Sequence, residues 1–400
     1  MGLHDLVKIK LLCTKYVGHF LAYAIALIAT FSSKQNKGRF AMAEQNPIVG
    51  TCRTMCPVTE FRFRSKHNLL HSFERARPTH QQTAKNETSD LCVKEFRRSA
   101  AGENVSDPRN LRTPETLLQT VNYLFTTILF KEGAQFNFIY DFIFDRLRSV
   151  RQDAVIQQLQ IVQPMLCIGI LERCVRFYVY AAYRAKLQPG LNIELHINTQ
   201  HTNDCLKTLL LMYKGVGFKF RERVKLHHRL SLVAVHMLLH MQCHDTLCGL
   251  LINVPSHWWK QEPLQTVVGV IFAVFHKNYV RAVKLSQKLI SEKRNIVLIA
   301  FSLSVDALRL DCVKMLCHSH SSKVSSFPAE ELPHWLFLNS TSDVTELCMS
   351  LGLTCTPTNA IKFSKNDFVT KDIPSARGCN IFQAIGQLSN NEIIGILNFP

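Results

Sequence analysis

Residues 343–364, DVTELCMSLGLTCTPTNAIKFS, change period partway along, and that change decides the fold. Asp343 and Glu346 stand at capping-box spacing, and Val344, Leu347 and Leu351 recur on one helical face. Gly352 supplies a left-handed stop. From Leu353 the repeat shortens: LTCT, the turn PTN and AIKFS read as two strands joined by a tight connection. Upstream, after Phe327 and Pro328, a short helix is expected near Glu330 to Phe337. Helix, turn, helix and hairpin is the layout of a winged helix, assigned to residues 326–371, with 372–400 as a C-terminal tail.

Further upstream the texture is helix after helix. Thr113 can cap a helix in which Pro114 takes the first turn, where its missing N–H costs nothing, and Glu115 favours the positive end of the dipole. Leu117, Val121, Leu124 and Ile128 then repeat at helical spacing. The stretch FNFIYDFIFDRLRSVRQD reads as an amphipathic helix ending in arginines. Further helices are expected around Pro164 to Lys186, Asn203 to Tyr213, Val224 to Met241, Thr266 to Phe275, Tyr279 to Ile290 and Ile296 to Cys317. Residues 50–325 are therefore assigned to an all-α helical array without a strict repeat, TPR-like or PCI-like, which the winged helix follows. Such an order is the layout of PCI-type scaffold proteins.

Apolar residues make up 47% of the 400 and charged ones 19%, enough apolar content to bury a core. Lys and Arg number 47 against 30 Asp and Glu, a surplus of 17 that attracts polyanions or acidic partner surfaces without identifying either. Fourteen scattered cysteines lack the dense spacing of a secreted disulfide scaffold and read as reduced thiols. Residues 1–49 form an N-terminal extension. Its apolar run Val17 to Phe31, preceded by Lys8, Lys10 and Lys15, reads either as a targeting segment or, because Met42 lies just before Gly50, as an extension upstream of a later start.

Three constellations of side chains are of types that can carry chemistry. Cys52 and Cys56 in GTCRTMCPVTEFRFR (50–64) lack the second close pair of a zinc site and the spacing of a redox couple. They read as packing instead, with Met55, Cys56 and Pro57 as an apolar plug and Arg62, Arg64, Lys66, Arg75 and Arg77 facing solvent or a partner. His236, His240 and His244 recur every four residues, but Met237 stands where a metalloprotease helix needs glutamate. No phosphate loop, dinucleotide fingerprint or nucleophile elbow is present, so neither enzyme activity nor a cofactor or metal is expected. Clustered cations, Arg146, Arg148 and Arg151 together with Lys362, Lys365 and Lys371 at the wing, are candidates for contact with RNA or DNA phosphates.

In order along the chain, GTCRTMCPVTEFRFR at Gly50, LLHSFE at Leu69, VKEFRRSAAG at Val93, LRTPETLLQTVNYL at Leu111 and FIFDRLRSVRQD at Phe142 resemble the motifs of the suppressor-of-actin-three/GANP family. The first is similar to that family's Gly-x-Cys-x-x-Met-Cys-Pro opening. Gly50, Cys52, Met55, Cys56, Pro57, Arg97, Arg98, Pro114, Asp145, Arg146, Arg148, Arg151, Gln152 and Asp153 are the positions that carry the likeness. The resemblance implies a non-enzymatic nuclear scaffold of a messenger-RNA-export complex, paired with a PCI-type protein partner and a small acidic subunit. Resemblance to the short, domain-only members implies an alternative: a cytoplasmic protein of the centrosome and spindle, acting in centrosome duplication and mitosis. KFRERVKLHHR (219–229) departs from the family's acidic-aromatic segment there.

Overall fold

The computed structural model describes residues 47–75, 88–98, 106–188, 190–215, 223–255, 257–291, 296–322, 324–369, 381 and 385–398. The run Val17 to Phe31, Arg77 and Lys371 lie outside these. Among the described residues no helix is long and apolar enough to cross a membrane.

The chain is mostly helical, with one small antiparallel sheet near its C-terminus. Helices α1 (Val58–Lys66) and α2 (Thr88–Leu91) are short, and α3 (Pro114–Tyr123) begins as expected, the Thr113 hydroxyl accepting from the Thr116 N–H at 3.2 Å with Pro114 behind it. The apolar repeat from Leu117 continues past α3 into a π-turn at Leu124–Ile128. Then come α4 (Phe136–Ile156), α5 (Leu159–Val162), α6 (Pro164–Leu187), α7 (Leu195–Gly215), α8 (Arg223–Leu239), α9 (His244–Asn253), α10 (Leu264–Phe275), α11 (Tyr279–Ser291) and α12 (Ile296–Ser319). Helix α6 buries most of its circumference, including Phe177, Tyr178, Val179, Tyr180 and Ala181, against α3, α4, α7 and α12. Each such buried large side chain contributes roughly 1.5–3 kcal/mol.

Long helix α12 carries the C-terminal unit. Buried Arg309 donates from Nε to the Leu336 carbonyl at 2.6 Å and from Nη2 to the Phe337 carbonyl at 2.9 Å, satisfying the last carbonyls of α13 (Leu332–Leu336), which Phe337 stops with a φ of 55°. A cation at a helix C-terminus also complements the negative end of its dipole. Helix α14 (Thr341–Ser350) buries Val344, Leu347 and Leu351 as the spacing predicts. Its cap differs from the expectation: Ser340 is the N-cap and Asp343 the third helical residue, each bonding the other's backbone N–H, because Ser340 already has the extended φ/ψ a cap requires. At Gly352 φ is 83°, and a Cβ there would stand 2.4 Å from the Asp367 carbonyl oxygen, so the returning chain fits only over glycine.

Strands β2 (Thr354–Cys355) and β3 (Ala360–Lys362) form the hairpin, and β1 (Phe327–Pro328) adds on the other side of β3 to give the order β1-β3-β2. Phe327 pairs with Ile361 and Thr354 with Lys362. Ile361 is buried while Lys362 faces out, the alternation of a half-buried strand.

Within the stretch expected as a tail lies α15 (Asn390–Asn398), which packs on α6 and the π-turn. Arg176 donates to the Ile396 carbonyl at 2.9 Å and Arg173 to the Asn398 carbonyl at 3.0 Å. One continuous apolar cluster accordingly runs from Phe73 to Leu397.

Candidate functional site: a buried ion-pair network beneath a cationic face

The five quoted motifs, spread over about a hundred residues, converge on one interior site. Gly50 starts it by close approach. A Cβ at this position would sit 2.5 Å from the Leu111 carbonyl oxygen, and the Gly50 N–H donates to Gln157 Oε1 at 2.9 Å. Cys52 then runs parallel to Arg112, its N–H on the Leu111 carbonyl at 3.0 Å and its carbonyl accepting from the Thr113 N–H at 2.9 Å. Cys56 and Pro57 are buried and Met55 is half-buried against the core, which is the plug expected of them. A hydrogen-bonding contact with the Cys92 thiol, and then burial, push the Cys56 thiol up and keep it protonated. Among the described residues no group of three or more His, Cys, Asp or Glu side chains could hold a metal ion. His236 is buried on α8, and burial first, then His240, lowers it to about 3, so it stays neutral in the core.

Arg64 corrects an expectation. Rather than facing solvent, its side chain is fully buried, paired with Glu74 and lying 2.9 Å from Glu95 and 3.7 Å from Glu60 one turn back. Arg146, expected to touch nucleic acid, is 4% exposed: its guanidinium reaches Glu74 at 3.1 Å, Glu95 at 3.2 Å and Asp145 at 2.5 Å, and lies over the Phe142 ring. Carboxylates take its two terminal nitrogens and its Nε is buried, so no edge opens to a phosphate. Burial would raise the Glu74 carboxyl, but Arg146 and Arg64, with the N–H groups of Val93 and His71, hold it below its ordinary value. Burial is the largest influence on Arg64 and opposes its charge, and Glu74, Cys92 and Glu95 together more than offset it.

A second pair of cations sits alongside. Buried Asp153 accepts from Lys94 Nζ at 2.6 Å and from Arg112 Nε at 2.8 Å, and Arg112 also donates to Ser149 at 2.8 Å. Gln157 closes the set by donating to the Arg112 carbonyl at 2.9 Å.

These acids also hold backbone. Residues 92–98 have no regular secondary structure and pass between α1 and α4. The Val93 N–H donates to Glu74 at 3.0 Å, Lys94 to the Met55 carbonyl at 3.0 Å, Glu95 to Glu60 at 2.9 Å and Phe96 to Asp145 at 3.2 Å. Gln152 donates to the Arg97 carbonyl at 2.8 Å. Carboxylates therefore both neutralise the buried arginines and satisfy a segment that has no strand partner.

The other candidate positions sit further out. Arg148 is half-buried with its guanidinium 3.8 Å from the Phe96 ring centre, and half-buried Arg151 contacts His201 at 2.9 Å. Arg97 and Arg98 are exposed, as are Lys362 and Lys365 at the hairpin. The two cationic groups lie in different parts of the sequence, on the α1 side and on the sheet. Glu60, Glu74, Glu95 and Arg112 were not singled out by sequence reasoning. The signal available was their place inside the quoted motifs.

An α-helical scaffold whose N-terminal motifs are locked by buried ion pairs, with a three-stranded sheet mounted on its last long helix, is the class this architecture defines. The chain belongs to the SAC3/GANP family, whose sequence model matches residues 55–357. It is similar to Protein xmas of Drosophila melanogaster, 27% identical over 182 residues that make up 42% of this chain and 8% of that protein. It is also similar to SAC3 family protein 1 of Schizosaccharomyces pombe, 32% identical over 137 residues, 34% of this chain and 12% of that protein. With SAC3 family protein B of Arabidopsis thaliana it shares 28% identity over 172 residues, 42% of this chain and 9% of that protein. The matched stretches thus span about a tenth of these relatives' own lengths.

Proposed function

We propose that this chain is a non-enzymatic scaffold subunit of a messenger-RNA-export-type complex in the nucleus. In this reading residues 50–325 are a PCI-like helical array and residues 326–371 a winged helix. The unit pairs with a PCI-type protein and a small acidic subunit, and its wing lysines Lys362 and Lys365 touch RNA. The observation that carries the reading is the sheet order β1-β3-β2 beside α13 and α14, fixed on α12 by Arg309 and leaving both lysines exposed. Family membership supports the same assignment. Outward lysines on a rigid hairpin suit phosphate contact that does not read sequence.

Affinity purification of the tagged full chain tests it. Recovery of a PCI-type protein with a small acidic subunit, and salt-dependent RNA binding that weakens with Lys362→Ala and Lys365→Ala, is the expected result. Recovery of centrosomal proteins with spindle staining and no such pair would overturn it.

A further inference from the structure

Charge is sorted by side in the N-terminal motifs. Glu60 is the one carboxylate of α1 and Glu95 the one carboxylate of residues 92–98, and both point into the network described above. The cations of the same two segments divide: Arg64 and Lys94 go in, whereas Arg62, Lys66, Arg97 and Arg98 go out. The outer face is thereby left positive without an acidic residue of its own segments to balance it. Apolar side chains lie among these cations, with Val58 54% and Phe63 50% exposed. The Phe63 ring already packs on His67 at 4.6 Å, with the Arg97 guanidinium 5.9 Å away over it. The ring thus offers apolar area flanked by charge rather than an empty stacking face, and aliphatic Val58 has nothing to offer a nucleobase.

The face is also rigid. Fully buried Arg64 pins α1 from beneath, and the side-chain-to-backbone bonds on residues 93–97 fix the point at which Arg97 and Arg98 emerge. Cations held in place lose less entropy on pairing than the same charges on a mobile loop.

We propose that the outer face of α1 with Arg97 and Arg98 is a docking site for an acidic, apolar-bearing linear segment of a protein partner. Carboxylates of the segment meet Arg62, Lys66, Arg97 and Arg98, and one or two of its apolar side chains cover Phe63 and Val58. Complementary charge sets the register and the on-rate, and the apolar contacts hold the complex. The site is separate from the wing lysines and does not depend on the reading given for them.

The test uses the full chain and a fluorescein-labelled twelve-residue peptide alternating Asp-Glu pairs with Leu and Phe, followed by anisotropy at 150 mM salt. Saturable binding is expected. Arg62→Glu with Arg97→Glu should weaken it at least tenfold, Phe63→Ser should weaken it several-fold, and Lys362→Glu with Lys365→Glu should leave it unchanged. A peptide with Ser in place of Leu and Phe should bind several-fold more weakly. If a variant melts below the wild type, Arg97→Gln with Arg98→Gln replaces it and is expected to lose at least threefold. Equal binding by all variants, or by the Ser peptide, refutes the proposal. So does tight binding of a twelve-nucleotide oligo(U) that the same Arg62 and Arg97 changes abolish while peptide binding is absent, since the face would then belong to nucleic acid.

Discussion

Glu74→Gln isolates the charge at the centre of the buried network. The amide keeps the carboxylate's size, so packing around Phe73 and Phe142 is retained, but Arg64 and Arg146 lose the anion they share. Removing one partner of a buried ion pair costs roughly 3–5 kcal/mol because a charge is left uncompensated. Here Glu95, Glu60 and Asp145 remain within reach of the two guanidiniums, which places the cost near the lower figure, about 3 kcal/mol. Against a total stability of about 5–15 kcal/mol that is a large share. Urea unfolding followed by circular dichroism should show a midpoint lower by about 1 M, for a denaturant slope near 3 kcal/mol/M. Amide exchange over residues 92–98 should accelerate, because the Val93 N–H loses its charged acceptor.

Two comparisons sharpen the test. Glu115→Gln, on an exposed first turn, should change stability by no more than about 1 kcal/mol. Adding Arg64→Met to Glu74→Gln should recover part of the loss, since one of the stranded guanidiniums is gone. The pH dependence follows from the lowered Glu74 pKa. Its contribution is complete above the ordinary value of 4.5 and is lost as pH falls through the lower folded-state value, so the gap between wild type and Glu74→Gln narrows only below pH 4.5. An unchanged urea midpoint and unchanged exchange in Glu74→Gln would refute the reasoning.

Other expectations are simpler to check. His236 is neutral in the fold with a value lowered to about 3, so the unfolded chain takes up its proton first: stability should decline as pH drops from 6.5 towards 3, by up to about 1.4 kcal/mol per pH unit. Urea midpoints at pH 7 and pH 5 should therefore differ less in His236→Gln than in the wild type. Gly50→Ala drives a methyl group against the Leu111 and Arg112 carbonyls and should cost about 1–3 kcal/mol, read as a lower melting temperature.

Much of the helical frame was legible because apolar spacing is a local signal. The expected start at Ile296 and stop at Phe275 agree with α12 and α10, and the expected stop at Lys186 falls one residue short of the end of α6 at Leu187. The first two turns of α7 were hidden because Leu195–Thr202 is mostly polar and buries only Asn198 and Thr202. Strand β1 was hidden because two residues carry no period, and α9 because it follows α8 after a short break. Arg64 was misread for a deeper reason. EFRFRSK has a surface composition, and Arg64 is held inside by acids 10 and 31 residues away, the nearer of them shared with Arg146, which is 82 residues away, and no local window contains that set. The motifs flagged the right stretches, yet which charges turn inward depended on their meeting in space. In the C-terminal unit the hairpin was readable from its turn, whereas its attachment through Arg309 to α13 was not, since a lone arginine on an amphipathic helix ordinarily reads as solvent-facing.

Residues 92–98 carry a row of backbone N–H groups without belonging to a sheet. An open edge of that kind invites pairing with another chain, and proteins commonly blunt it with charge, proline or a covering element. Here the N–H groups of residues 93–96 are already taken, three by carboxylates and one by the Met55 carbonyl, and Arg64 donates to the Val93 carbonyl at 3.1 Å. No ladder can form along that row without first breaking ion pairs in the interior. The acids that stabilise the fold therefore also guard it against intermolecular strand addition, and loss of Glu74 or Glu60 would expose an aggregation-prone edge as well as weaken the core.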